Sequence, residues 1–598
     1  MTVDQSGPET VTNIPFGPDH ETWEEILQSQ GLHNGQAGLV SGPLKDPAHE
    51  YPKEPGIDAR DFQIAGHALT EVQRRKALDA MEKYLTYKRD HMLGYQFSQD
   101  TDGSRRDLSR FLDFHVNNMG DPFDRGGYKP NTRVAERAVL DYFASLWHAK
   151  WPHNPKDGES YWGYMTSMGS TEANLYALWN ARDYLSGKAL LKTSSDSGET
   201  LTYVEPQMSG ENEKFFTPVV FYSQDTHYSF GKGMRVLGMY NVYGAAQKFK
   251  YIKNDECPVD GGWESCRDGV PSDANGEVDI MKLVSLVDFF VKKGHPILVS
   301  LNYGSTFKGA HDNVEEICGK LLPLFKDKHL EHELTYGRGM KVTRRRFWIH
   351  VDGALGAGYG PFMRMASKEP HVFNWTPEIT LPEFDFGLRA KVKNGKKVDM
   401  VSSISMSGHK WPGVPWPCSL YMTKVKYQMA PPAEVPVIGS KDTTFAGSRN
   451  GFSPLVMWNQ LAQLSYSDQV ERCRIAMELA EYMERRLKGL DITPSLEVAR
   501  TPGSFSVRFR RPNTRLLAKW SMSEVGDHVH AFVMPSTTRE EIDELVYDLQ
   551  TSDAFIEPTP PIKVEDSWDA QLAALPAVHL ADGFISLGGV PLSGRGME

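Results

Sequence analysis

Apolar runs and amphipathic stretches alternate through the middle of the chain. Four runs have the length and apolar composition of buried strands, at 217–223, 295–304, 346–354 and 398–405. The stretches between and before them have the apolar spacing of helices, at 171–185, 278–294 and 314–328. Continuous apolar strands separated by helices predict an α/β fold with a mostly parallel central sheet covered by helices. In such sheets, ligands bind at the carboxyl ends of the strands.

The pattern differs at both ends of the chain. A start rich in Gly, Pro and acidic residues, with one helical stretch at 20–31, predicts an arm that wraps around other elements. Amphipathic helices are predicted at 70–95 and 133–149. After a helix at 468–490, two strands and a helix predict a small α+β C-terminal domain. The predicted domains are an N-terminal arm with helices at 1–110, a large domain at 111–465, and a small domain with an irregular tail at 466–598.

Two polar segments interrupt the alternation, and a basic tract precedes one of the strands. The segments 189–214 and 253–277 are polar and are predicted to be surface insertions. The basic tract 341–347 runs directly into an apolar strand, so it is predicted to be a solvated lead-in rather than a nucleic-acid patch.

Composition and charge exclude several classes of protein. The chain has 598 residues and a net charge of −11, which argues against a nucleic-acid surface. Its five cysteines are scattered, and none forms a C-x-x-C pair, so we expect neither a disulfide framework nor a metal site. The start lacks a secretory pattern, and no apolar run reaches 18 residues. We therefore expect a cytoplasmic protein that does not bind a membrane.

Four short stretches that follow predicted strands contain candidate chemistry. Gly169, Ser170 and Thr171 lead into a helix, where free N–H groups and hydroxyls can bind a phosphate, although the same residues also suit a plain helix cap. His227 follows a strand, where a structural histidine is the alternative. Asp352 follows a buried strand and requires a cationic partner there. Lys410 stands among glycines and prolines that restrict its backbone.

Together, these residue types match the requirements of a pyridoxal phosphate site. A lysine amine binds the cofactor's aldehyde, and its pKa falls when it is buried. A carboxylate holds the pyridine nitrogen protonated, and a flat side chain stacks on the ring. A helix N-terminus with hydroxyl residues takes the phosphate.

The chain resembles the pyridoxal phosphate-dependent group II amino acid decarboxylases. The motifs "GSTEAN", "HYS", "HVDGALG" and "SGHKWPGVPWP" look like the cofactor motifs of that family and occur in the right order over roughly 110–460. "NNMGDPF" and "DTTFAGSRNG" are similar to the branch of histidine decarboxylases and of valine and methionine decarboxylases. "YWGYMTSMGSTEANLYALWNARDYLSGK" is closer to the valine and methionine type. The resemblance implies the aspartate aminotransferase-like fold, known as fold type I.

The resemblance also implies roles for individual residues. Lys410 would bind the cofactor covalently, Asp352 would pair with the pyridine nitrogen, and His227 would stack on one ring face with Ala354 under the other. The remaining residues implied to bind the cofactor are Gly169, Ser170, Thr171, Thr306, Ser407 and His409. A homodimer is implied, with the active site at the interface, the segment around Thr443 and Thr444 reaching the partner's phosphate, and the N-terminal arm wrapping the pair.

The implied reaction is loss of carbon dioxide from an L-amino acid through an external aldimine and a quinonoid, followed by proton return to the α-carbon. The family attributes that proton to a loop tyrosine, but Val437 occupies the matching position here. Another group could supply the proton, the matched register could be shifted, or the intermediate could react with oxygen to give an aldehyde. The oxidative outcome is therefore kept as an alternative.

The substrate is predicted from the same resemblance. An aliphatic or thioether side chain, as in methionine, leucine or valine, is favoured, and histidine or an aromatic amino acid is the alternative. A cofactor-binding scaffold without activity is an alternative from another class, but the joint presence of Lys410, Asp352 and His227 argues against it. The candidate side-chain pocket residues are Phe62, Gln63, His67, Phe114, His115 and Asn118.

Overall fold

A computed structural model describes residues 54–64, 66–99, 106–195, 198–206, 210–325, 327–336, 339–391, 397–429, 431 and 433–558. The chain divides into two units, Met1–Ala80 and Met81–Glu598, and the boundary falls within the helix Glu71–Asp90. The helix predicted at 20–31, most of the predicted arm and most of the C-terminal tail lie outside the described residues. The predicted three-domain division stays a prediction.

Fifteen helices and nineteen strands are named here within the described residues. The helices are α1 (Glu71–Asp90), α2 (Arg133–Leu146), α3 (Ser170–Leu185), α4 (Ser229–Leu237), α5 (Val242–Lys248), α6 (Tyr251–Asn254), α7 (Ile280–Lys293), α8 (Val314–Leu321), α9 (Asp327–Leu330), α10 (Gly360–Lys368), α11 (Pro370–Phe373), α12 (Phe452–Ala462), α13 (Tyr466–Lys488), α14 (Thr514–Lys519) and α15 (Arg539–Leu549). The strands are β1 (Tyr161–Thr166), β2 (Ala189–Ser195), β3 (Gly198–Val204), β4 (Val219–Phe221), β5 (Tyr240–Asn241), β6 (Ile297–Asn302), β7 (His332–Tyr336), β8 (Met340–Arg344), β9 (Phe347–Asp352), β10 (Arg389–Lys391), β11 (Lys397–Asp399), β12 (Val401–Ser407), β13 (Ser419–Lys424), β14 (Glu434–Val435), β15 (Ser440–Lys441), β16 (Ala499–Arg500), β17 (Ser506–Arg510), β18 (Glu524–Val525) and β19 (His528–Phe532).

Local sequence signals explain where several helices begin and end. The Asp279 side chain accepts a hydrogen bond from the Lys282 backbone N–H at the start of α7, and Gly294 ends that helix at φ 94°. Ser465 and Asp468 form a capping box at the start of α13. These end signals set the helix boundaries within a few residues of the predicted ones.

A seven-stranded sheet forms the centre of the second unit. Its strand order is β1-β13-β12-β9-β6-β4-β5. All neighbouring pairs from β12 to β5 are parallel, whereas β13 is antiparallel to both β12 and β1. This arrangement confirms the predicted α/β fold with a mostly parallel sheet. The carboxyl ends of β1, β4, β6, β9 and β12 consequently lie at one edge of the sheet.

Both faces of the sheet are covered. In β6, Ile297 and Val299 pack in one apolar cluster with Phe290 of α7. Leu298 packs in a second cluster with Leu178 of α3. Because successive strand residues point to opposite faces, α3 and α7 cover opposite sides of the sheet. The continuous apolar character of the strands follows from this double burial.

The C-terminal part of the second unit contains a separate four-stranded sheet. Its order is β16-β17-β19-β18, and all its pairs are antiparallel. Helix α13 contacts both β17 and α15. This confirms the predicted α+β character of the C-terminal region.

One prediction about these segments is wrong, and another holds only in part. Segment 253–277 is not a surface insertion, because Trp263, Cys266 and Val270 are buried in the main apolar cluster. The basic tract is solvated only at its start, where Lys341 and Thr343 are exposed. Arg345 and Arg346 are buried and donate hydrogen bonds to backbone carbonyl groups. Segment 189–214 contains a regular hairpin of β2 and β3. The helix predicted at 314–328 ends earlier, at Leu321 in α8.

Candidate active site

Five strand ends carry candidate site residues to one edge of the central sheet. Asp352 is the last residue of β9, and Ser407 is the last residue of β12, three positions before Lys410. Strand β1 leads to Ser170, β4 to His227 and β6 to Thr306. The structure therefore brings the predicted residues of all four motifs to the edge at which open α/β sheets bind ligands.

Two backbone hydrogen bonds hold the loop that contains Lys410. The Gly408 N–H donates to the Cys418 carbonyl across 2.9 Å, and the Lys410 carbonyl accepts from the Ser98 N–H across 3.1 Å. The Lys410 Nζ donates to Gln96 Oε1 across 2.6 Å. Burial lowers the pKa of the lysine to about 8, against the opposing attraction of Asp352. A part of the amine population is therefore neutral and nucleophilic near neutral pH.

Asp352 is a buried carboxylate held by uncharged donors. The Asn174 Nδ2 donates to its Oδ2 across 2.7 Å, and the Ala354 backbone N–H donates to its Oδ1 across 3.2 Å. Ser405 opposes Asp352 in the register of β12 and β9. Because no positive group ion-pairs with Asp352 within the described residues, its charge is available to a cationic ligand group.

His227 is a half-buried, neutral imidazole. Burial lowers its pKa, and the nearby Lys410 and Lys232 lower it further. Its Nδ1 accepts the Ser229 backbone N–H at 3.3 Å and lies 2.6 Å from the Ser229 hydroxyl. Because a backbone N–H can only donate, Nδ1 is an acceptor and the ring proton is on Nε2. Tyr228, which is exposed, packs against this ring with centroids 4.2 Å apart.

A cradle of small and hydroxyl residues lies at the N-terminus of α3. The hydroxyls of Ser170 and Ser407 are 2.8 Å apart, and the Ser407 N–H donates to the Ala354 carbonyl. Gly169 precedes the helix at φ 70° and ψ −173°, a conformation reserved for glycine. A Cβ at Gly169 would lie 2.9 Å from the His409 ring. The absence of a side chain at Gly169 allows the His409 ring to lie beside the helix N-terminus, whose free N–H groups can bind an anion.

The predicted threonines lie in different environments. Thr171 is exposed at the start of α3, and the Thr306 carbonyl accepts a hydrogen bond from Gln96 Nε2. Thr443 is buried, and its hydroxyl donates to Asp121. The buried hydroxyl of Thr444 donates to the Ala446 carbonyl. Their predicted contacts with a cofactor stay predictions.

The predicted pocket residues fall in both units. In the first unit, Phe62 is half-buried, while Gln63 and His67 are exposed. In the second unit, the side chains of Phe114 and His115 are exposed.

Asn118 differs from these two residues because it is fully buried. It donates to Glu136 and accepts from the Thr132 N–H and hydroxyl. Its amide therefore joins internal elements, and its role in a pocket stays a prediction.

Val437 lies between β14 and β15, which form a small hairpin, and its side chain is 83% exposed. Tyr421 and Tyr427, the nearest tyrosines before it in the chain, are both buried. The position implied for a proton donor is therefore an exposed hairpin tip with no ionisable side chain at 437.

Two residues of the site were missed by sequence reasoning. Gln96 bonds directly to Lys410, and Asn174 bonds directly to Asp352. Asn174 ends the "GSTEAN" motif, one turn into α3, so helical spacing from Ser170 could have indicated it. Gln96 lies outside the quoted motifs and carried no comparable signal.

The residues present fit pyridoxal phosphate. The hydroxyls and N–H groups at the start of α3 suit the phosphate, the unpaired Asp352 carboxylate suits a protonated ring nitrogen, and the Lys410 amine suits the aldehyde. Within the described residues, no cluster of acidic, histidine and cysteine side chains could hold a metal ion. No helix in that part of the chain is long and apolar enough to cross a membrane.

Comparison with known proteins finds amino acid decarboxylases as relatives of this chain. The crystal structure of L-methionine decarboxylase from Streptomyces sp. 590 shares 51% sequence identity and a TM-score of 0.75, covering 82% of this chain and 98% of that chain. Serine decarboxylase 2 of Oryza sativa subsp. japonica is 28% identical over 468 residues, covering 78% of this chain and 76% of that protein. Histidine decarboxylase of Vibrio campbellii is 29% identical over 462 residues, covering 76% of this chain and 90% of that protein. No protein-family model matches the chain.

Proposed function

Since the chain belongs to the pyridoxal phosphate-dependent group II amino acid decarboxylases, we propose that it decarboxylates L-methionine to the corresponding amine and carbon dioxide. Other amino acids with aliphatic side chains, such as leucine and valine, are the next candidates. The observation that carries this substrate choice is the 51% identity with L-methionine decarboxylase of Streptomyces sp. 590 over 98% of that chain.

The cofactor site is proposed to consist of residues from the four motifs. Lys410 binds the cofactor, and its lowered pKa supplies the neutral amine that this bond requires. Asp352 would pair with the protonated ring nitrogen, and His227 and Ala354 would contact the ring. The groups proposed to bind the phosphate are Gly169, Ser170, Thr171, Thr306, Ser407 and His409.

The chain's own residues have separate tasks in the reaction. Bound pyridoxal phosphate would supply an electron sink for the breaking bond between the α-carbon and the carboxylate. The Asp352 charge would stabilise the protonated ring nitrogen of that cofactor. Gln96 Oε1 accepts a hydrogen bond from the Lys410 amine when that amine is free, which keeps it within the site.

The proton that returns to the α-carbon comes from a group other than residue 437, since valine has no ionisable proton. His227 is a poor source, because its Nδ1 accepts the Ser229 N–H and its neutral form is favoured by burial. The relatives carry the names of decarboxylases and do not favour the oxidative alternative.

The enzyme is proposed to be a homodimer with its active site at the interface. Large apolar side chains on neighbouring elements support this assembly: Val134 of α2 is 81% exposed, Trp458 of α12 is 46% exposed, and the two helices pack together. Exposed apolar groups of this size on adjacent elements are typical of subunit contacts. A cytoplasmic location also stays a prediction.

Product analysis tests the proposed reaction. Purified protein with added pyridoxal phosphate is incubated in air with L-methionine, leucine, isoleucine, valine, histidine, serine and the aromatic amino acids. Mass spectrometry measures amine and aldehyde, and an oxygen electrode measures oxygen uptake. We expect amine from L-methionine at the highest kcat/KM, without oxygen uptake.

The Lys410→Ala variant serves as the control and should give no product. Amine from histidine or serine alone would overturn the substrate choice. Aldehyde with oxygen uptake would instead show that replacement of the loop tyrosine by Val437 has changed the reaction.

A further inference from the structure

We propose that His350 and Asn174 are positioning residues for decarboxylation, because they are the last two links of a one-directional chain of hydrogen bonds that orients the Asp352 carboxylate. The inference deepens the proposed function, since it concerns the same site. Neither His350 nor Asn174 is placed in contact with the reacting atoms; each acts through Asp352.

The chain of hydrogen bonds begins at Trp348 and runs through buried side chains. The Trp348 Nε1–H donates to Ser403 Oγ across 2.9 Å, and Ser403 Oγ lies 2.9 Å from His350 Nδ1. The His350 Nε2 lies 3.0 Å from Asn174 Oδ1, and the Asn174 Nδ2 donates to Asp352 Oδ2 across 2.7 Å. All five side chains are buried.

The direction of each hydrogen bond follows from the carboxylate end. An ionised carboxylate only accepts, so the Asn174 amide must turn its Nδ2 toward Asp352 and its Oδ1 toward His350. His350 Nε2 must therefore carry the proton. Burial lowers the pKa of His350 to about 4, so the ring is neutral and its Nδ1 accepts from the Ser403 hydroxyl. The indole N–H of Trp348 then donates a hydrogen bond to the Ser403 hydroxyl oxygen.

Strand geometry explains why these residues meet. Trp348, His350 and Asp352 alternate along β9, and therefore share one face of the sheet. Ser403 and Ser405 alternate along β12 and oppose His350 and Asp352 in the strand register. Asn174 reaches this face from α3, which packs on both strands.

Ser405 fixes the Asn174 amide a second time. Its hydroxyl donates to Asn174 Oδ1 across 2.6 Å, so two donors hold that oxygen away from the carboxylate. The resulting donors to Asp352 are all uncharged. Uncharged donors orient the carboxylate without forming an ion pair with it, which leaves its charge for the ring nitrogen of the cofactor.

Cofactor affinity tests the proposal without an amino acid substrate. The dissociation constant for pyridoxal phosphate is measured by equilibrium dialysis for the wild type and for the His350→Leu, His350→Gln and Asn174→Leu variants. We expect the two leucine variants to bind about tenfold more weakly or worse. Asn174→Leu removes the donor to the buried Oδ2 of Asp352, and His350→Leu removes one of the two donors that orient the Asn174 amide. His350→Gln should recover most of the affinity, since an amide can donate to Asn174 and accept from Ser403.

His295→Leu is the matched control. His295 is another buried histidine with a pKa lowered to about 4, but it bonds to Tyr251 and the Thr217 carbonyl instead. This variant should lose stability in a thermal melt and keep the cofactor affinity of the wild type. With substrate present, the His350→Leu variant should lower kcat by about tenfold or more and change KM by less than about threefold.

The proposal is overturned if the His350→Leu and Asn174→Leu variants fold and bind the cofactor like the wild type. If neither variant folds, the Ser403→Ala variant decides, because it removes a single hydroxyl from the chain. A Ser403→Ala affinity within about twofold of the wild type would also overturn the proposal, since a lost hydrogen bond costs more than that. The dialysis result does not depend on which amino acid is the substrate. A wrong substrate assignment can therefore be distinguished from a wrong assignment of the positioning residues.

Discussion

The Lys410 amine and the Gln96 carbonyl oxygen lie 2.6 Å apart, and the Gln96 amide is fixed by a second hydrogen bond to the Thr306 carbonyl. Because Gln96 is uncharged, it holds the amine without adding a negative charge. The lysine pKa of about 8 therefore reflects burial more than attraction. Burial therefore sets the reactivity of the Lys410 amine, and the hydrogen bond to Gln96 sets its position.

Substitution of Gln96 by Glu should slow cofactor binding at neutral pH. The neutral fraction of Lys410, and with it the rate of cofactor attachment, rises as pH increases through about 8 in the wild type. A carboxylate at this distance favours the charged amine and raises the lysine pKa by about one unit or more. At pH 7 the rate should fall about tenfold for each unit. Stopped-flow absorbance of apo-protein mixed with pyridoxal phosphate, from pH 6 to pH 10, measures this shift.

Gln99→Glu provides the matched comparison. Gln99 is three positions away and bonds to the Arg89 carbonyl and the Ser536 hydroxyl rather than to Lys410. The Gln99→Glu variant should keep the wild-type pH midpoint of the rate of cofactor attachment. A Gln96→Glu profile that also kept that midpoint would contradict the assigned contact.

Sequence could predict the site residues whose type is unusual for their local setting. A lysine framed by glycine and proline, and an acid directly after a buried strand, indicated Lys410 and Asp352. Gln96 has no such signal, because its partner is 314 positions away and a glutamine suits most loops. Contacts of this kind depend on the path of the loop, which hydrophobic patterning does not determine.

At the scale of elements, the strands of the central sheet were the most predictable features. Double burial makes them continuous apolar runs, and β6 and β9 lie within the predicted runs at 295–304 and 346–354. Segment 253–277 was mistaken for a surface insertion because its buried side chains have no regular period. Arg345 and Arg346 were mistaken for solvated residues because their acceptors are backbone carbonyl groups, which sequence does not display.

The N-terminus of α3 depends on one glycine. Gly169→Ala should destabilise the protein by about 1–3 kcal/mol, because its φ and ψ suit glycine alone. It should also weaken cofactor binding, because the new Cβ would press on the His409 ring at 2.9 Å. Thermal unfolding of the apo-protein and equilibrium dialysis with pyridoxal phosphate measure the two effects separately.

Gly262→Ala separates backbone strain from the local clash. Gly262 has nearly the same conformation, φ 70° and ψ −171°, and no atom lies within 4 Å of a Cβ built there. Both variants should lose similar stability, but only Gly169→Ala should lose cofactor affinity. Equal affinities for the two variants would argue against the proposed phosphate cradle.

At the scale of the whole molecule, the proposed dimer should depend on the exposed apolar residues of α2 and α12. The double variant Val134→Asp and Trp458→Asp should raise the dimer dissociation constant at least about tenfold, because buried tryptophans commonly dominate interfaces. Light scattering coupled to size-exclusion chromatography measures the mass over a dilution series. Decarboxylase activity should fall in parallel if the interface completes the site.

Tyr547→Asp is the control for an added surface charge. Tyr547 of α15 is 70% exposed, so this variant should keep the mass and the activity of the wild type. A double variant that remained dimeric would place the interface on another face. A wild type that is monomeric and fully active would remove the need for a partner subunit.

The cradle also has a consequence for how the protein is made. The hydroxyls of Ser170 and Ser407 meet across 237 positions, and Gln96 and Lys410 meet across 314 positions. A ribosome must therefore complete most of the chain before any cofactor can be captured, and long-range contacts of this kind form slowly. Because a ligand that binds only the finished fold stabilises it by mass action, cellular supply of pyridoxal phosphate would set how much newly made enzyme escapes proteolysis.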